Sequence, residues 1–212
     1  MQLPNFEIED SIKADFQLIS GIDEVGRGCL LGPVVAGAVV IKNFEPFLDI
    51  GITDSKKLSQ KKREELFEFI SNSKDIDYAI GMVAEGEIDA INILNATFKA
   101  MRIAINKLNT PPDFLLIDGN AFRADGLPIP YRTIIKGDTK SISIAAASII
   151  AKVTRDRFVC KIAEEIHNDY DIKNNKGYAS AKHIQAIKNY GYTKFHRKSF
   201  KLKEIENQGL IF

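Results

Sequence analysis

Asp23 and Glu24 are adjacent carboxylates at the end of an apolar run, Leu18 to Ile22, and the turn Gly26-Arg27-Gly28 follows at once. Charges on a buried strand are costly unless they are paired or hold a cation. Glycines let backbone N–H groups approach a ligand closely. Together these residues suit a hard divalent cation with a phosphate or sugar beside it. Alone, acids at a strand end are most often solvated turn residues. A second apolar run, Phe114 to Ile117, ends in Asp118, and two strands that each deliver acids at their C-terminal ends describe one metal site. Asp156 lies further on, in Lys152-Val153-Thr154-Arg155-Asp156-Arg157. A helical Asp between two arginines is commonly a surface ion pair worth little, but a helix crossing the strand ends makes it a fourth carboxylate. Four acids without a His or Cys ligand call for Mg²⁺ or Mn²⁺ rather than zinc. Two such ions about 3.5–4 Å apart can activate water and stabilise the leaving oxygen in phosphodiester hydrolysis.

The elements that must position these acids follow from hydrophobic pattern and turn chemistry. Residues 1–16 are a short polar lead-in. Strands are expected near 17–25, 33–42 and 77–85, with a loop carrying Asp54-Ser55-Lys56-Lys57-Leu58 and a helix over 60–72 between the last two. Ile88, Ile91, Leu94, Phe98, Met101 and Ile105 predict one helix from about 87 to 108, stopped by Pro111-Pro112 ahead of the Asp118 strand. A short strand near 131–136 precedes a long helix over 141–168, whose Ala145, Ala146, Ala147, Ser148 and Ala151 permit close packing on a sheet. His167 is expected to end that helix, where a cation suits the dipole. A last helix is expected near 180–190. Three consecutive strands followed by helix–strand alternation predict an α/β fold with a mixed rather than purely parallel sheet.

The chain has 212 residues, enough for one domain with a sizeable core, and a net charge of +1. It has no apolar stretch of transmembrane length and no secretory leader at its start. Cys29 and Cys160 make neither a disulfide scaffold nor a metal finger. A cytoplasmic protein, not a membrane one, is the expectation. The near-zero charge conceals an uneven distribution. From Ile172 to Lys203 there is no Asp or Glu, while eight lysines from Lys173 to Lys203 and Arg197 are interleaved with Tyr178, Tyr190, Tyr192, Phe195, His183 and His196. Bases with rings among them suit phosphate neutralisation and stacking on sugars or bases; the bland alternative is a solvated basic face.

Other chemistries find little support. Ser141 and Ser148 have no evident His and Asp partners for a serine hydrolase. Gly26-Arg27-Gly28 does not complete a dinucleotide fingerprint, and no Walker A sequence is present. Lys56-Lys57 is either a solvated loop or, at a helix entry, a phosphate contact.

The ordered motifs Gly21-Ile22-Asp23-Glu24-Val25-Gly26-Arg27-Gly28, Asp54-Ser55-Lys56-Lys57-Leu58, Ile117-Asp118-Gly119-Asn120, Lys136-Gly137-Asp138, Ala145 to Asp156, Lys176-Gly177-Tyr178 and His196-Arg197-Lys198-Ser199-Phe200 closely resemble bacterial ribonuclease HII, the type 2 ribonuclease H family. The resemblance covers roughly residues 17–200. It implies a ribonuclease H-like mixed β-sheet flanked by helices, with a helical C-terminal extension. The catalytic domain would span 17–206, its basic extension 168–206, after a lead-in of 1–16 and before a tail of 207–212. It implies hydrolysis of the RNA strand of RNA–DNA hybrids and incision 5′ to single ribonucleotides in duplex DNA, leaving 3′-hydroxyl and 5′-phosphate ends. By position, Asp23, Glu24, Asp118 and Asp156 match the family's metal-binding catalytic carboxylates, serving two Mn²⁺ or Mg²⁺ ions. Gly26, Arg27 and Gly28 match the turn that senses the ribose 2′-hydroxyl, and Tyr178 the tyrosine packed on the sugar beside the scissile phosphate. Ser55 and Lys56 match a phosphate-binding loop. Cys29 departs from the family's usual proline and puts the rigidity of the glycine turn in question. The lead-in leaves no room for the additional N-terminal domain of ribonuclease HIII.

Two other classes compete: a non-catalytic nucleic-acid-binding module, which needs no convergent acids, and a junction-resolvase-like nuclease, which cuts DNA without ribonucleotides. The expected protein is a monomer. Its tail, Gln208-Gly209-Leu210-Ile211-Phe212, resembles the Gln-x-Leu-x-Phe pattern that docks some bacterial replication proteins on the sliding clamp.

Overall fold

A central sheet carries both predicted acid-bearing strands side by side. The computed structural model describes residues 3–47 and 50–202. After a short helix α1 (Glu7–Asp10), strands β1 (Ile19–Val25), β2 (Val34–Ile41) and β3 (Ile76–Val83) form an antiparallel meander, with helix α2 (Gln60–Asn72) inserted before β3. Helices α3 (Glu85–Ile91) and α4 (Ile93–Asn106) lead to β4 (Phe114–Asp118), which pairs parallel with β1, and β5 (Tyr131–Ile134) pairs parallel with β4. The resulting order β3-β2-β1-β4-β5 is mixed, as the strand pattern predicts. Helix α5 (Ile142–Ile162) follows, then α6 (Ile172–Asn175) and α7 (Ala181–Tyr190). No helix among the described residues is long and apolar enough to cross a membrane.

The two faces of the sheet are covered by different helices, and glycines set how closely each can lie. Successive strand residues face opposite sides. Ile22, Ala36, Ala38 and Val40 pack with Phe98, Ala100, Met101 and Ala104 of α4. Val39 and Ile41 pack with Ala145 to Ala147 and Ile149 of α5 and with Leu66 and Ile70 of α2. A Cβ on Gly21 would stand 2.1 Å from the Ser143 backbone, and one on Gly81 only 1.8 Å from the Ala100 carbonyl. Backbone therefore lies on backbone at these crossings, and α5 is buried along its whole first half, Ile142 to Ala151.

The predicted helix over 87–108 is two helices. Asn92 takes a left-handed φ of 66°, which Asn tolerates better than most residues, and its side chain accepts the Asn95 N–H at 3.1 Å to cap α4. The long helix likewise ends at Ile162 and not at 168. Glu164 and Glu165 follow there, acids at the end where the dipole disfavours them, and His167 precedes a separate 3-10 turn, Asn168–Tyr170. The lead-in is more than a polar approach. Phe6 and Ile12 are buried, and the fully buried Glu9 accepts the Ser141 hydroxyl (2.7 Å) and the Ser143 N–H (3.1 Å) at the start of α5.

The basic segment is partly core. Leu30, Leu31, Val159 and Ile162 pack with Tyr170, Ile172, Ala186, Ile187, Tyr192 and Phe195, while Arg197, His183 and His196 are buried. Most of the rings that sequence pattern offers for stacking therefore anchor the segment to the domain; Tyr178 and Tyr190 are the large exposed apolar residues within it. Asp89 of α3 accepts the backbone N–H groups of Lys198 and Ser199, each at 2.9 Å, and holds its far end.

Gly81→Ala should lower unfolding free energy by about 2 kcal/mol through overpacking against α4. Gly86→Ala, where a Cβ meets open space, should be neutral or stabilise by about 0.5 kcal/mol. Urea unfolding midpoints of the two variants check this pair.

Candidate metal centre and substrate face

Parallel pairing of β1 with β4 is what brings the acids together. Ile22 stands opposite Ile117, so Asp23 and Asp118 leave neighbouring strands at the same sheet edge. Ligand oxygens of Asp23, Glu24 and Asp118 all lie within 4.8 Å of one another. Asp23 accepts the Glu24 N–H at 2.7 Å and Asp118 accepts the Gly137 N–H at 2.6 Å, so each carboxylate is aimed by backbone. Gly137 follows Lys136, whose left-handed φ of 56° turns the chain to present that N–H.

The electrostatics are those of a site waiting for positive charge. Burial, then Glu24, then Asp118 push the Asp23 carboxyl well above its usual range. Burial raises Glu24 too, opposed by Arg27, whose guanidinium bonds its carboxylate at 3.0 Å. Three oxygen donors at one edge, without nitrogen or sulfur, fit a hard divalent cation.

Asp156 lies on α5 and is paired with Lys152 at 2.9 Å, one turn away. It is outside the group of three mutually close carboxylates and acts on the Tyr178 hydroxyl, whose pKa is pushed to about 12 chiefly by burial and then by Cys29. The Lys152 ammonium stands 5.9 Å from the Tyr178 ring centre. Asp156, Lys152 and Tyr178 thus form one cluster beside the three acids.

Ser55 turns inward. It is 2 % exposed, and its hydroxyl shares a 2.9 Å hydrogen bond with Ser148, which in turn bonds the Asp23 carboxylate. The loop instead offers Lys56 and Lys57 to a cavity of about 340 Å³ whose other walls are Asp54, Asp118, Lys136, Asp138 and Thr139. Lys136 and Asp138 belong to a motif visible in the sequence, yet only the fold reveals that they face Asp118.

The glycine turn is fixed from beneath by arginine. Gly26 has a φ of 91°, and a Cβ there would meet Arg155 Nε at 2.2 Å. Arg155, fully buried, donates to the carbonyls of Pro33 (3.0 Å), Leu31 (3.0 Å) and Lys176 (2.9 Å). Arg197, equally buried, donates to the Gly32 and Arg27 carbonyls. Leu30 N–H bonds directly to the Gly177 carbonyl at 2.8 Å. The Gly26-Arg27-Gly28 turn and the Lys176-Gly177-Tyr178 turn are therefore one body. The Cys29 thiol, completely buried and held protonated by that burial, bonds the Tyr178 hydroxyl across this seam. Gly28 differs from its neighbours: a Cβ there would touch nothing within 4 Å.

Arg197, which the sequence pattern groups with the phosphate-neutralising bases, is instead buried, as is Arg155; an Arg beside an Asp or among lysines carries no signal of burial.

A family model described as ribonuclease HII matches residues 20–203. The ribonuclease HII of Clostridioides difficile is 52% identical over 187 residues, which are 88% of this chain and 71% of that protein. Among solved structures, ribonuclease H2 from Pyrococcus horikoshii superposes with a TM-score of 0.73 at 30% identity, covering 90% of this chain and 98% of that one. The ribonuclease HII of Archaeoglobus fulgidus, solved in a complex with PCNA, gives 0.74 at 27% identity over 88% of this chain and 96% of that chain.

A carboxyl whose pKa is higher folded than unfolded binds more protons in the native state, so stability falls as pH rises through that window. Metal-free protein should accordingly lose stability above about pH 4, as the Asp23 proton is stripped. Asp23→Asn should be more stable than the parent at pH 8 in chelator, with the gap closing toward pH 4. Melting temperatures across that range check the sign.

Proposed function

Because the chain belongs to the ribonuclease HII family, metal-dependent nucleases that cleave the RNA strand of RNA–DNA hybrids, we propose that it also incises duplex DNA 5′ to a single ribonucleotide, leaving 3′-hydroxyl and 5′-phosphate ends. The observation that carries this reading is the joining of the glycine turn and the Tyr178 turn beside three convergent carboxylates. Asp23, Glu24 and Asp118, with Asp156 from α5, are the residues that hold two Mg²⁺ or Mn²⁺ ions. Bound there, the cations supply Lewis acidity to a water and to the leaving oxygen.

The remaining steps belong to the protein's own groups. Gly28 lacks a side chain where nothing in the protein requires its absence, which leaves room for a sugar edge against the backbone. One hydroxyl separates ribose from deoxyribose, and a site built to bond that group discriminates strongly because its own polar atoms are otherwise left unpaired. Tyr178, 38% exposed with its hydroxyl tied to Cys29, presents its ring toward the neighbouring sugar. Arg27 is paired to Glu24 and exchanges that partner for the substrate when cations neutralise the carboxylate. Lys56, Lys57 and Lys136 line the cavity beside Asp118 and suit phosphates of the cut strand. Exposed lysines of the C-terminal segment, Lys173, Lys182, Lys198 and Lys201 among them, neutralise duplex phosphates without reading sequence.

The complex of the Archaeoglobus fulgidus relative with PCNA supports a sliding-clamp contact here as well. The tail that would make it, Gln208 to Phe212, lies outside the described residues.

Matched duplexes with and without one ribonucleotide test the reading. The parent should cut only the first, at the 5′ side, and excess chelator should abolish cutting. Asp23→Asn and Asp118→Asn should lose cleavage yet keep duplex binding. Tyr178→Ala should slow cutting about a hundredfold with duplex affinity little changed. Equal cleavage of both duplexes would refute the assignment. For the clamp, Phe212→Ala should remove binding measured by calorimetry and leave unassisted cleavage intact.

A further inference from the structure

Two histidines outside the metal centre form a relay whose proton positions are dictated by its ends. His183 on α7 and His196 are 0% and 2% exposed, and their Nε2 atoms are 3.0 Å apart. At one end His196 Nδ1 lies 2.9 Å from the Thr193 backbone N–H, which can only donate, so that nitrogen carries no proton. At the other end His183 Nδ1 lies 2.8 Å from the Tyr178 carbonyl, which can only accept, so this nitrogen carries one. Neutral His196 then has its proton on Nε2, neutral His183 has a bare Nε2, and the two meet as donor and acceptor. Both ends demand the same tautomers. Thr193 N–H therefore aligns His196, His196 aligns His183, and His183 holds the Tyr178 main chain. Tyr170 and Tyr192 rings stand 5.5 Å and 5.4 Å from the His196 ring centre and enclose it. Burial and the facing His183 hold His196 down at a pKa of about 3, and burial lowers His183, so the pair stays uncharged at neutral pH.

We infer that His183, oriented by His196, is a positioning residue for Tyr178, setting the angle at which that ring meets the substrate sugar through a hydrogen bond to the Tyr178 carbonyl. The inference rests on the proposed role of Tyr178. A core pair serving stability alone could be satisfied in many ways. This one spends its terminal donor on the carbonyl of the one exposed ring beside the acids. Tyr178 is otherwise secured by its hydroxyl to Cys29, by its N–H to the Asn175 carbonyl at 3.0 Å and by the Ser180 N–H, which its carbonyl accepts at 2.8 Å. The relay adds a second donor to that carbonyl, from a buried side chain of α7 rather than from a neighbouring turn.

Two substitutions separate the halves of His183. Asn presents an amide N–H where Nδ1 stands, so His183→Asn keeps the donor to Tyr178 and abandons His196. Gln presents a carbonyl where Nε2 stands, so His183→Gln keeps His196 and abandons Tyr178. His183→Asn leaves the His196 Nε2–H unpaired and His183→Gln leaves the Tyr178 carbonyl with the Ser180 N–H alone, so both should melt at lowered temperatures. Cleavage of a duplex with one ribonucleotide should separate them. His183→Gln should lose kcat about tenfold or more with KM little changed, while His183→Asn should stay within about threefold of the parent. Equal kinetic loss in both, or none in His183→Gln, would overturn the inference. His196→Asn provides a second route if His183→Gln fails to fold. It removes the Nε2–H donor, frees His183 to take either tautomer, and should also lower kcat; an unchanged kcat would count against the relay. On a Tyr178→Ala background His183→Gln should cost nothing further, and an undiminished loss there would show that the effect bypasses Tyr178. Should Tyr178→Ala itself leave cleavage unchanged, the reading of Tyr178 falls first and is seen to fall separately.

Discussion

A guanidinium buried with no carboxylate partner among the described residues is the constraint around which the proposed substrate face is assembled. Arg155 is inaccessible to water and finds its partners among the carbonyls of Pro33, Leu31 and Lys176. Removing a charge from water costs several kcal/mol even after relaxation, so each of those carbonyls must be in place for the fold to be tolerable. Arginine's planar fork can satisfy several acceptors at once in fixed directions, where lysine could not. Its neighbour in the chain is Asp156 and its neighbour in space is Gly26. Helix α5, the segment after the glycine turn and the Tyr178 turn are thus tied together by one side chain. Arg197 repeats the device on Gly32 and Arg27.

The acidic edge is built on the opposite principle. There the protein concentrates like charge and supplies little to relieve it: backbone N–H groups aim the carboxylates, and Arg27 and the Ser148 hydroxyl offset only part of their repulsion. Stability is given up at this edge so that a cation has something to gain by binding. The arginine-held seam and the acidic edge need each other, because a cation site whose carboxylates could drift apart would simply relieve its own repulsion. Close approach of α5 to β1 at Gly21 prevents that drift.

What could be read from the chain was whatever depended on neighbours in sequence. Asp23-Glu24 after an apolar run, the glycine turn, and a second strand ending in Asp118 each announce themselves locally, and the mixed sheet follows from the spacing of strands and helices. The Asn92 break was hidden because apolar spacing continues across it; one residue's φ divides α3 from α4. Glu9 read as lead-in polarity because its partners, Ser141 and Ser143, lie more than 130 residues away. Ser55 stands in a surface-looking loop, yet its partner Ser148 draws it into the core. The histidines looked scattered, although His183 and His196 share a hydrogen bond. For Glu9, Ser55 and the histidines the missing fact was a partner distant in sequence, which neither composition nor periodicity encodes.

The link between Leu30 and Gly177 also bears on the order in which the protein is made. All four acids proposed for the metal centre have been synthesised by residue 156, but the segment after Gly28 is then held only at its Leu31 and Pro33 carbonyls, by Arg155. Its Leu30 N–H and C=O wait for Gly177 and Arg197, its Gly32 N–H waits for Phe195, and the Arg27 and Gly32 carbonyls wait for the Arg197 guanidinium. An emerging chain therefore carries its charged edge before it carries the completed face proposed to meet the substrate. Partners so far apart in sequence close slowly, and the C-terminal segment is the last component to arrive. The discrimination proposed above would in this sense be a property of the chain through Arg197: one that stops short of it has the acids and lacks the fit.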